Sequence, residues 1–518
     1  SGDLLTSDIC REGHDIAYTG DHSAFEGDYY IMGHARIAPT TFSAQAGICF
    51  ADGTNGIGVI ETKDINGRLG GVLAAHKLLV GGSGNHYWDG NSGRFEIGAG
   101  GLEFTRSKMW GLANYNYIPR IVLAADQVWT NSAASGTAYM QFGFGYHVPD
   151  YFKAYLTAAA GVTDWRLGGS FETWLYSPSN DLSDVTVTVS KPAKIRLVKN
   201  LDARLNAKEL VLDGADMDFG KAFPSGDAYG GSYTSVAAAD AAHVAPEVTL
   251  KDGGTLTIAK ASVPFAIPQL NAVGADNAVT GESIVITQDV TEVSVPAAAD
   301  ALAFDTEIVG EAAFDVAGAG SLSLKVPSTG LGADVAFADG GTLGSNISLG
   351  GDWSGFKGTR WVERRMDFEK GASLPAGAVQ KVYSGTQEVR FSGDGETFAG
   401  DITVDNKITA TSNRLYADNN GTWTGDFTVP NGWSDVQTMN WSVAANKTFT
   451  FAGGFKSGRG INLYVSVGSG ATATFSGDHT FEARTFRLIG AGTTRRRLPT
   501  KYSRKVFPTA AGTTTAPH

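Results

Sequence analysis

One short phrase, an aromatic residue followed by any residue, Gly and Asp, constrains the fold more than any other feature. It occurs at Tyr18, Phe25, Phe391, Phe398, Trp423 and Phe475, with the looser form "FAGG" at Phe451. From Phe398 the spacings are 25, 28 and 24 residues, the length of one unit in a stacked repeat architecture. Such a unit cannot bury its apolar face alone, so the sequence predicts a solenoid in which neighbours supply the core.

A second phrase, a Gly-rich turn between alternating residues, predicts strands. It reads "FEIGAGGLEF" at 95–104, "TLKDGGTLTI" at 249–258, "DVAGAGSLSL" at 315–324, "AFADGGTLG" at 336–344 and "SVGSGATATF" at 466–475. Apolar residues alternate beside glycines that can adopt positive φ. Helical patterns are limited to Ala-rich stretches at 235–246 and 295–304, which predict one or two turns at most. The chain is therefore predicted to be nearly all β.

Stacked rungs suggest a role for each residue of the repeated phrase. The aromatic residue should point inward and stack on its equivalent one rung away, roughly 4.8 Å along the axis. Gly should let the chain turn a corner, and Asp should hydrogen-bond nearby backbone amides. Alternatively, the aspartates could line up along one edge and bind calcium; these are Asp28, Asp394, Asp401, Asp426 and Asp478.

Composition agrees with an array and divides it into portions. Gly accounts for 67 of 518 residues and charged residues for 18%, which indicates many turns and little charged helical surface. Tryptophan occurs five times in 1–185, is absent from 186–350 and occurs five times in 351–493. We therefore predict an aromatic-rich N-terminal portion (1–185), a Val/Ala/Leu-rich middle portion (186–350), C-terminal repeats (351–493) and a basic, Pro-containing tail or linker (494–518).

Charge and hydropathy limit the partners. The net charge of −12 should repel a phosphate backbone, so no nucleic-acid partner is expected. The longest apolar runs, such as 121–125, are far shorter than the roughly 20 residues that span a bilayer, so no membrane-spanning segment is expected. Cys10 and Cys49 show no metal or redox spacing. A disulfide between them and two free buried thiols are both compatible with the sequence.

Several phrases together resemble a known family. "FSGDGETFAGDITVDN" at 391–406, "GTWTGDFTVPNG" at 421–432 and "GGTLTI" at 253–258 resemble the autotransporter-associated β-strand repeats. The resemblance implies an all-β fold, an elongated right-handed parallel β-helix (β-solenoid) with rungs of about 25 residues, in line with the repeat spacing. It also implies exposure outside a bacterial cell, at the cell surface or secreted.

No catalytic signature is present: the chain lacks G-x-S-x-G, H-E-x-x-H, G-x-x-x-x-G-K-[ST] and C-x-x-C. One acidic cluster has the composition of a site, because "VLDGADMDFGK" at 211–221 brings Asp213, Asp216 and Asp218 together. Clustered carboxylates can bind calcium or act as acid and base on a polysaccharide. The alternative is a turn between strands with solvated carboxylates.

Three residues are candidates for contact with a glycan. "TRWVERRMDFEK" at 359–370 alternates so that one strand face would carry Trp361, Glu363 and Arg365, an aromatic ring beside paired charges. "GNHYWDGNSG" at 84–93 predicts a loop that presents Trp88. The structural alternatives are an exposed strand whose opposite charges pair with each other and a bulky turn.

Taken together, the sequence predicts an extracellular structural or adhesive solenoid without catalytic activity: a surface adhesin, a stalk or a fibre subunit. Self-association end to end is expected because the ends of a solenoid are sheet edges, and surface glycans are further candidate partners. No cofactor is predicted, calcium excepted. The alternatives are a β-helix polysaccharide lyase or glycoside hydrolase, since fold does not decide function, and a trimeric phage-type tailspike.

Overall fold

The computed structural model describes the strands given below and the segments that connect many of them. The structure describes every residue in the following ranges: 94–105, 109–112, 120–142, 155–175, 180–198, 204–221, 245–258, 268–286, 290–310, 313–318, 320–324, 388–399, 401–404, 413–429, 437–457, 461–477 and 485–496. Between these segments and towards both termini, the description is limited almost entirely to separate strands of two to nine residues. Within this part of the chain there is no helix, and every strand pairing is parallel. The predicted all-β solenoid of stacked parallel strands is confirmed, with rungs about 24 residues apart.

The chain forms two compact units, and the first comprises residues 1–267 with 280–282. Its first sheet contains Leu4–Leu5, Tyr29–Ile31, Ile48–Phe50, Val72–Val80, Arg94–Phe104, Arg120–Leu123, Gln127–Asn131, Tyr155–Ala158, Asp164–Gly169, Leu182–Ser190, Ala207–Asp213 and Glu247–Lys251. Its second sheet contains Ala17–Tyr18, Arg36–Ile37, Gly58–Glu61, His86–Asp89, Met109–Leu112, Ala138–Phe142, Phe171–Leu175, Lys194–Val198, Asp216–Lys221 and Thr255–Ile258. A small separate pair is formed by Asp21–His22 and Thr41–Phe42.

The second unit comprises residues 268–279 and 283–518. Its first sheet contains Gln269–Val273, Val290–Ser294, Ala313–Ala317, Val335–Phe337, Arg360–Val362, Val379–Val382, Asp401–Val404, Phe427–Val429, Phe455–Ser457 and Thr480–Phe481. Its second sheet contains Asn277–Ile286, Ala301–Gly310, Ser321–Leu324, Asn346–Leu349, Arg365–Phe368, Glu388–Phe391, Asn413–Ala417, Gln437–Val443, Ile461–Val467 and Thr485–Gly490. A third sheet contains Glu396–Phe398, Gly421–Trp423, Thr448–Phe451, Thr472–Phe475 and Thr493–Arg496.

The core of the first unit is built from residues that repeat one above another. Val187 lies in register with Leu210, which lies in register with Val248, and all three are fully buried. Trp129 and Trp165 pack edge to face with ring centroids 4.9 Å apart. The indole N–H of Trp129 donates to Gln127 at 2.8 Å, which satisfies a polar group that would otherwise be costly to bury.

The aromatic residues of the repeated phrase form a buried ladder in the second unit. In the third sheet, Phe398 pairs with Trp423, Trp423 with Phe451 and Phe451 with Phe475, and all four are almost completely buried. The rings of Phe451 and Phe475 stack with centroids 4.9 Å apart and planes 16° apart. The predicted inward orientation is therefore confirmed for these four residues, and the spacings of 25, 28 and 24 residues correspond to strand register.

Gly425 and Gly453 lie where the chain bends from the third sheet into the first, as predicted, and the glycine of the phrase has a further role in rung packing. A Cβ atom on Gly453 would lie 1.9 Å from the carbonyl oxygen of Gly425, and one on Gly477 would lie 2.2 Å from that of Gly453. Neither glycine has a positive φ. These positions therefore require glycine because successive rungs approach too closely for any side chain. Positive φ is found instead in the Gly-rich turns, for example at Gly253 and Gly318.

Three local predictions need revision or narrowing. Residues 86–89, predicted as part of a loop, form a strand that pairs with Gly58–Glu61. Residues 359–370 do not form a single strand, because Arg360–Val362 and Arg365–Phe368 belong to different sheets. The Ala-rich stretch at 295–304 makes a turn at 297–300 and continues as a strand, with no helix.

The predicted portions differ from the compact units. The proposed junction at 185/186 falls inside the strand Leu182–Ser190, and the strand Thr493–Arg496 extends the repeats into the predicted tail. Residues 497–518 and Cys10 lie outside the described residues, as do Asp28 and Asp478, the first and last of the five aspartates considered for calcium. Cys49 lies in the strand Ile48–Phe50.

Candidate functional surface

The acidic cluster predicted from sequence lies partly on the outer face of the second sheet in the first unit. Along this sheet, Glu172, Lys194 and Asp216 are in register, and so are Trp174, Arg196 and Asp218. The residues between them, such as Thr173, Ile195 and Met217, are fully buried. Because side chains alternate along a strand, the six register residues face outward. We refer to Glu172, Trp174, Lys194, Arg196, Asp216 and Asp218 as the charged outer face.

Arg196 is the centre of this face. Its Nε donates to Glu172 at 2.5 Å and its Nη2 donates to the second oxygen of Glu172 at 3.3 Å. Its Nη1 forms an ion pair with Asp218, and its guanidinium carbon lies 5.4 Å from the ring centroid of Trp174. One arginine therefore joins carboxylates from the rung before it and the rung after it.

These groups are shielded from water although they face outward. Glu172 is 7% exposed and Trp174 is 5% exposed, and the side chains of Arg196 and Asp218 are both 15% exposed. The indole N–H of Trp174 has no hydrogen-bond partner among the described residues. A buried charge without its partner would be strongly destabilising, so the three charged groups act as a unit.

The remaining two aspartates are also paired with basic side chains. Asp216 accepts from Lys194 at 2.6 Å, with both side chains about two-fifths exposed. Asp213 ends the strand Ala207–Asp213 in the first sheet and lies 3.3 Å from the Lys251 ammonium. The structure thus places Asp216 and Asp218 on one face and Asp213 in the other sheet.

The chemistry open to this face follows from those pairs. A calcium ion on Asp216 and Asp218 would have to displace Lys194 and Arg196, and a carboxylate acting as an acid or base would have to leave its ion pair. In the described residues, no group of three or more His, Cys, Asp or Glu side chains is arranged to hold a metal ion. Calcium binding by Asp213, Asp216 and Asp218 stays a prediction.

The aspartates of the repeated phrase bind backbone amides of the next rung. Asp401 Oδ1 accepts from the Asp426 amide at 2.8 Å, and Asp426 Oδ1 accepts from the Gly454 amide at 2.6 Å. Asp394 Oδ1 accepts from the Asn420 amide at 3.1 Å. The predicted hydrogen bonding to backbone amides is confirmed at these positions, and it fastens one rung to the next.

The predicted glycan contacts are separated by the fold. Trp88 lies in the strand His86–Asp89, in register with Ile60. Trp361 lies in the first sheet of the second unit, in register with Ala336 and Lys381, whereas Arg365 lies in the second sheet, in register with Asn346 and Glu388. Trp361 and Arg365 therefore do not share a strand face.

Arg365 belongs to a register column of the second sheet that combines basic, acidic and aromatic residues. This column continues through Glu388, Arg414 and Asn440 to Tyr464 and Arg487. In the neighbouring column, Arg390 donates to both oxygens of Asp418, at 3.1 and 2.9 Å, and its guanidinium carbon lies 4.4 Å from the ring centroid of Tyr416. The aromatic and cationic groups are of the kind that contact sugars and their carboxylates.

Two further carboxylates in the first unit have perturbed acidity. Hydrogen bonds from Lys77, at 2.7 Å, and from Ser132 lower the pKa of Glu103. Hydrogen bonds from the Thr163 and Asp164 amides, at 2.7 and 3.0 Å, lower the pKa of Asp126. Both carboxylates bind a group that lies 26 or more residues away along the chain, so they tie distant segments together.

Sequence reasoning missed two arrangements. Glu172 and Arg196 are separated by 24 residues, close to one rung, so a search for opposite charges at the repeat spacing would have found them. The second arrangement is an outward threonine column, in which Thr397 pairs with Thr422, Thr422 with Thr450 and Thr450 with Thr474. Each threonine precedes one residue of the buried aromatic ladder.

A second threonine column runs beside the first. Thr448 pairs with Thr472, and Thr472 pairs with Thr493. The Thr448 amide donates to Asn420 Oδ1 at 2.9 Å, which places Asn420 one rung before it. We refer to both columns together as the threonine face; its residues are Thr397, Asn420, Thr422, Thr448, Thr450, Thr472, Thr474 and Thr493.

Comparison of the chain with protein families, with curated proteins and with solved structures gave no match. In the described part of the chain, no helix has the length and hydropathy needed to cross a membrane. The resemblance to autotransporter-associated repeats therefore stays a prediction from the sequence phrases, and function has to be inferred from the surfaces described above.

Proposed function

We propose that this protein is an extracellular structural and adhesive β-solenoid that acts without catalysis, as a surface adhesin, a stalk or a fibre subunit. The observation that carries the proposal is the use of polar side chains between rungs. Asp216, Asp218 and Glu172 are held by lysine or arginine from neighbouring rungs, and Asp401 and Asp426 are held by backbone amides. These groups stiffen a scaffold and leave little free acid or base for a reaction.

Adhesion would use the outward columns. On the second sheet of the second unit, Tyr416, Tyr464 and Arg487 offer rings and positive charge to a surface glycan. Each contact would be weak, and many contacts repeated along the solenoid would give useful avidity. Extracellular location is part of the proposal and is supported by the resemblance of the repeated phrases to autotransporter-associated repeats.

The test compares binding and cleavage in one set of samples. The purified chain would be incubated with a panel of acidic and neutral polysaccharides, with and without a calcium chelator, and bound protein and newly formed chain ends would both be measured. We expect binding without cleavage, unaffected by the chelator. Electron microscopy at several concentrations would report association between molecules in the same samples.

An enzymatic function would give a different result. Release of shortened products, abolished by D216N or D218N but retained by D213N, would overturn the proposal and establish a β-helix lyase or hydrolase. D213N is the matched control because Asp213 also pairs with a lysine but lies in the other sheet. Absence of polysaccharide binding, association and cleavage together would also overturn it.

A further inference from the structure

The threonine face is neutral. Its members carry no charged side chain. Among the described residues, charges occur only at its edges: Asp394 accepts from the Asn420 side chain at 2.9 Å and lies 4.0 Å from the Lys447 ammonium, and Arg495 follows Thr474 in register. The chain as a whole has a net charge of −12, so the absence of charge from eight neighbouring outward positions sets this face apart. Charge complementarity therefore favours a neutral ligand and disfavours an ionic one.

The threonine face also offers no aromatic ring. The rings that belong to these strands, Phe398, Trp423, Phe451 and Phe475, are buried on the opposite side. Stacking of a sugar on an aromatic face is therefore impossible at these positions. The second sheet, with Tyr416 and Tyr464 in its outer columns, is the better surface for a glycan.

The threonine face presents a two-dimensional array in which seven of the eight residues are threonine. Neighbouring rungs repeat at about 4.8 Å, and positions i and i+2, such as Thr448 and Thr450, repeat at about 6.6 Å along a strand. Threonine is stiff at χ1 because it is β-branched, so little rotamer freedom is lost on binding. Each of the seven threonines presents one methyl group and one hydroxyl group.

The hydroxyl groups of the central column are free to meet a ligand. Among the described residues, the hydroxyls of Thr422, Thr450 and Thr474 have no hydrogen-bond partner. By contrast, the hydroxyl of Thr424, next to the face, donates to the carbonyl oxygen of Phe398 at 3.1 Å. The face thus combines apolar methyl groups with unpaired hydroxyls in a fixed two-dimensional pattern.

We propose that the threonine face binds the surface of ice. Ice is a neutral, rigid lattice that repeats its hydrogen-bonding positions in two dimensions, as the face does. The methyl groups would displace disordered water, and the hydroxyls would take lattice positions, so that many weak contacts act together. The inference rests on the proposed function only in treating the solenoid as a binding scaffold, and it adds a ligand class and the residues that contact it.

Partition of the labelled 518-residue chain into slowly growing ice tests the proposal directly. We expect the ice fraction to be enriched in the unaltered protein relative to an inert globular protein. Thr450→Tyr and Thr474→Tyr, tested separately, should each reduce that enrichment severalfold, because a tyrosine ring that projects from the threonine face would sterically prevent close contact with the ice surface. Inhibition of ice recrystallisation should fall in parallel.

The matched control is Thr428→Tyr. Thr428 is half-buried like Thr450 but lies in the first sheet, between Thr403 and Lys456 in register, so its substitution should leave ice enrichment unchanged. Thermal unfolding monitored by circular dichroism would show that each variant folds. A variant that does not fold is replaced by Thr422→Tyr, which probes the same column.

Several results would overturn the inference. The first is an amount of the chain in the ice fraction no greater than that of the inert protein. The second is a loss of ice enrichment in Thr428→Tyr as large as that in Thr450→Tyr. The third is Thr450-dependent binding to crystalline cellulose or to a second copy of the chain, without binding to ice. None of these would disturb the proposed function, which fails only if association and polysaccharide binding are absent or cleavage is found. Failure of either proposal can therefore be recognised separately.

Discussion

At the scale of single residues, the aromatic residue, the Gly and the Asp of the aromatic-x-Gly-Asp phrase each have a different role in stacking one rung on the next. The aromatic residue fills the interior, as Trp423 and Phe451 do. Gly453 admits the backbone of the previous rung, and Asp426 accepts an amide of the next rung. Where the phrase reads "FAGG", Gly454 replaces Asp but still donates its amide to Asp426, so the contact from the preceding rung persists.

Arg196 provides the residue-scale prediction. Arg196→Met should lower the free energy of unfolding by about 3–5 kcal/mol, because Glu172 and Asp218 would be left shielded from water without their counter-charge. Denaturant unfolding would measure the change. The triple variant E172Q/R196M/D218N, which removes all three charges, should recover much of the loss.

The control for that measurement lies in the same strand. Lys194→Met removes a pair that is about two-fifths exposed, and such pairs contribute only about 0–1 kcal/mol. If Arg196→Met were as mild as Lys194→Met, the unit formed by Glu172, Arg196 and Asp218 would not contribute to stability as described.

At the scale of strands, stability comes from packing between equivalent positions on successive rungs. Two strands of the third sheet, Glu396–Phe398 and Gly421–Trp423, are only three residues long, and no such strand could persist alone. Phe451 contacts Trp441 and Phe449 with centroids 5.0 Å apart in both cases. The short strand Thr448–Phe451 is therefore held by ring contacts of Phe451 within the strand, across the interior to Trp441 and with Phe475 on the next rung.

Phe451→Ala tests this dependence. Truncation of a buried phenylalanine usually costs about 3–5 kcal/mol through lost burial and a residual cavity, and we expect a loss in that range by denaturant unfolding. Thr450→Ala, one residue earlier and on the outer face, should change stability by less than about 0.5 kcal/mol. Equal effects of the two substitutions would contradict the assignment of inner and outer faces.

At the scale of the whole molecule, carboxylates that tie distant segments together make stability depend on pH. The folded-state pKa values of Glu103 and Asp126 are lowered by hydrogen bonds. Their contribution is complete above the pKa values of the unfolded chain, 4.5 for Glu and 3.8 for Asp, and is lost as pH falls through the lower folded-state values.

Denaturant midpoints measured from neutral pH to below pH 3.8 would reveal this loss as a decline towards acid. The double variant E103Q/D126N should show a shallower decline, because its amides do not titrate. A decline as steep in the variant as in the unaltered protein would show that other carboxylates dominate. Stability that rose towards acid would contradict the direction of both pKa changes.

Much of the fold could be predicted from the sequence because its signals are local and periodic. Alternation of apolar residues predicts strands, and the spacings of 25, 28 and 24 residues from Phe398 to Phe475 predict which residues stack. The inward position of the ladder follows from the same pattern. For the candidate surfaces, the sequence identified Asp216 and Asp218 but not their partners.

The tertiary structure decided which residues that are distant in sequence come together, because local sequence patterns do not carry this information. Corners moved Trp361 and Arg365 into different sheets. Two successive rungs of equal length placed Arg196 in register with Trp174 before it and Asp218 after it, within reach of both Glu172 and Asp218. Register also aligned the threonines of four strands into one face. The sequence by itself determined which residues prefer the interior, since burial of apolar groups is a property of each residue and its alternation. Only the three-dimensional path decided which polar residues meet, because their meeting depends on the length of every rung between them.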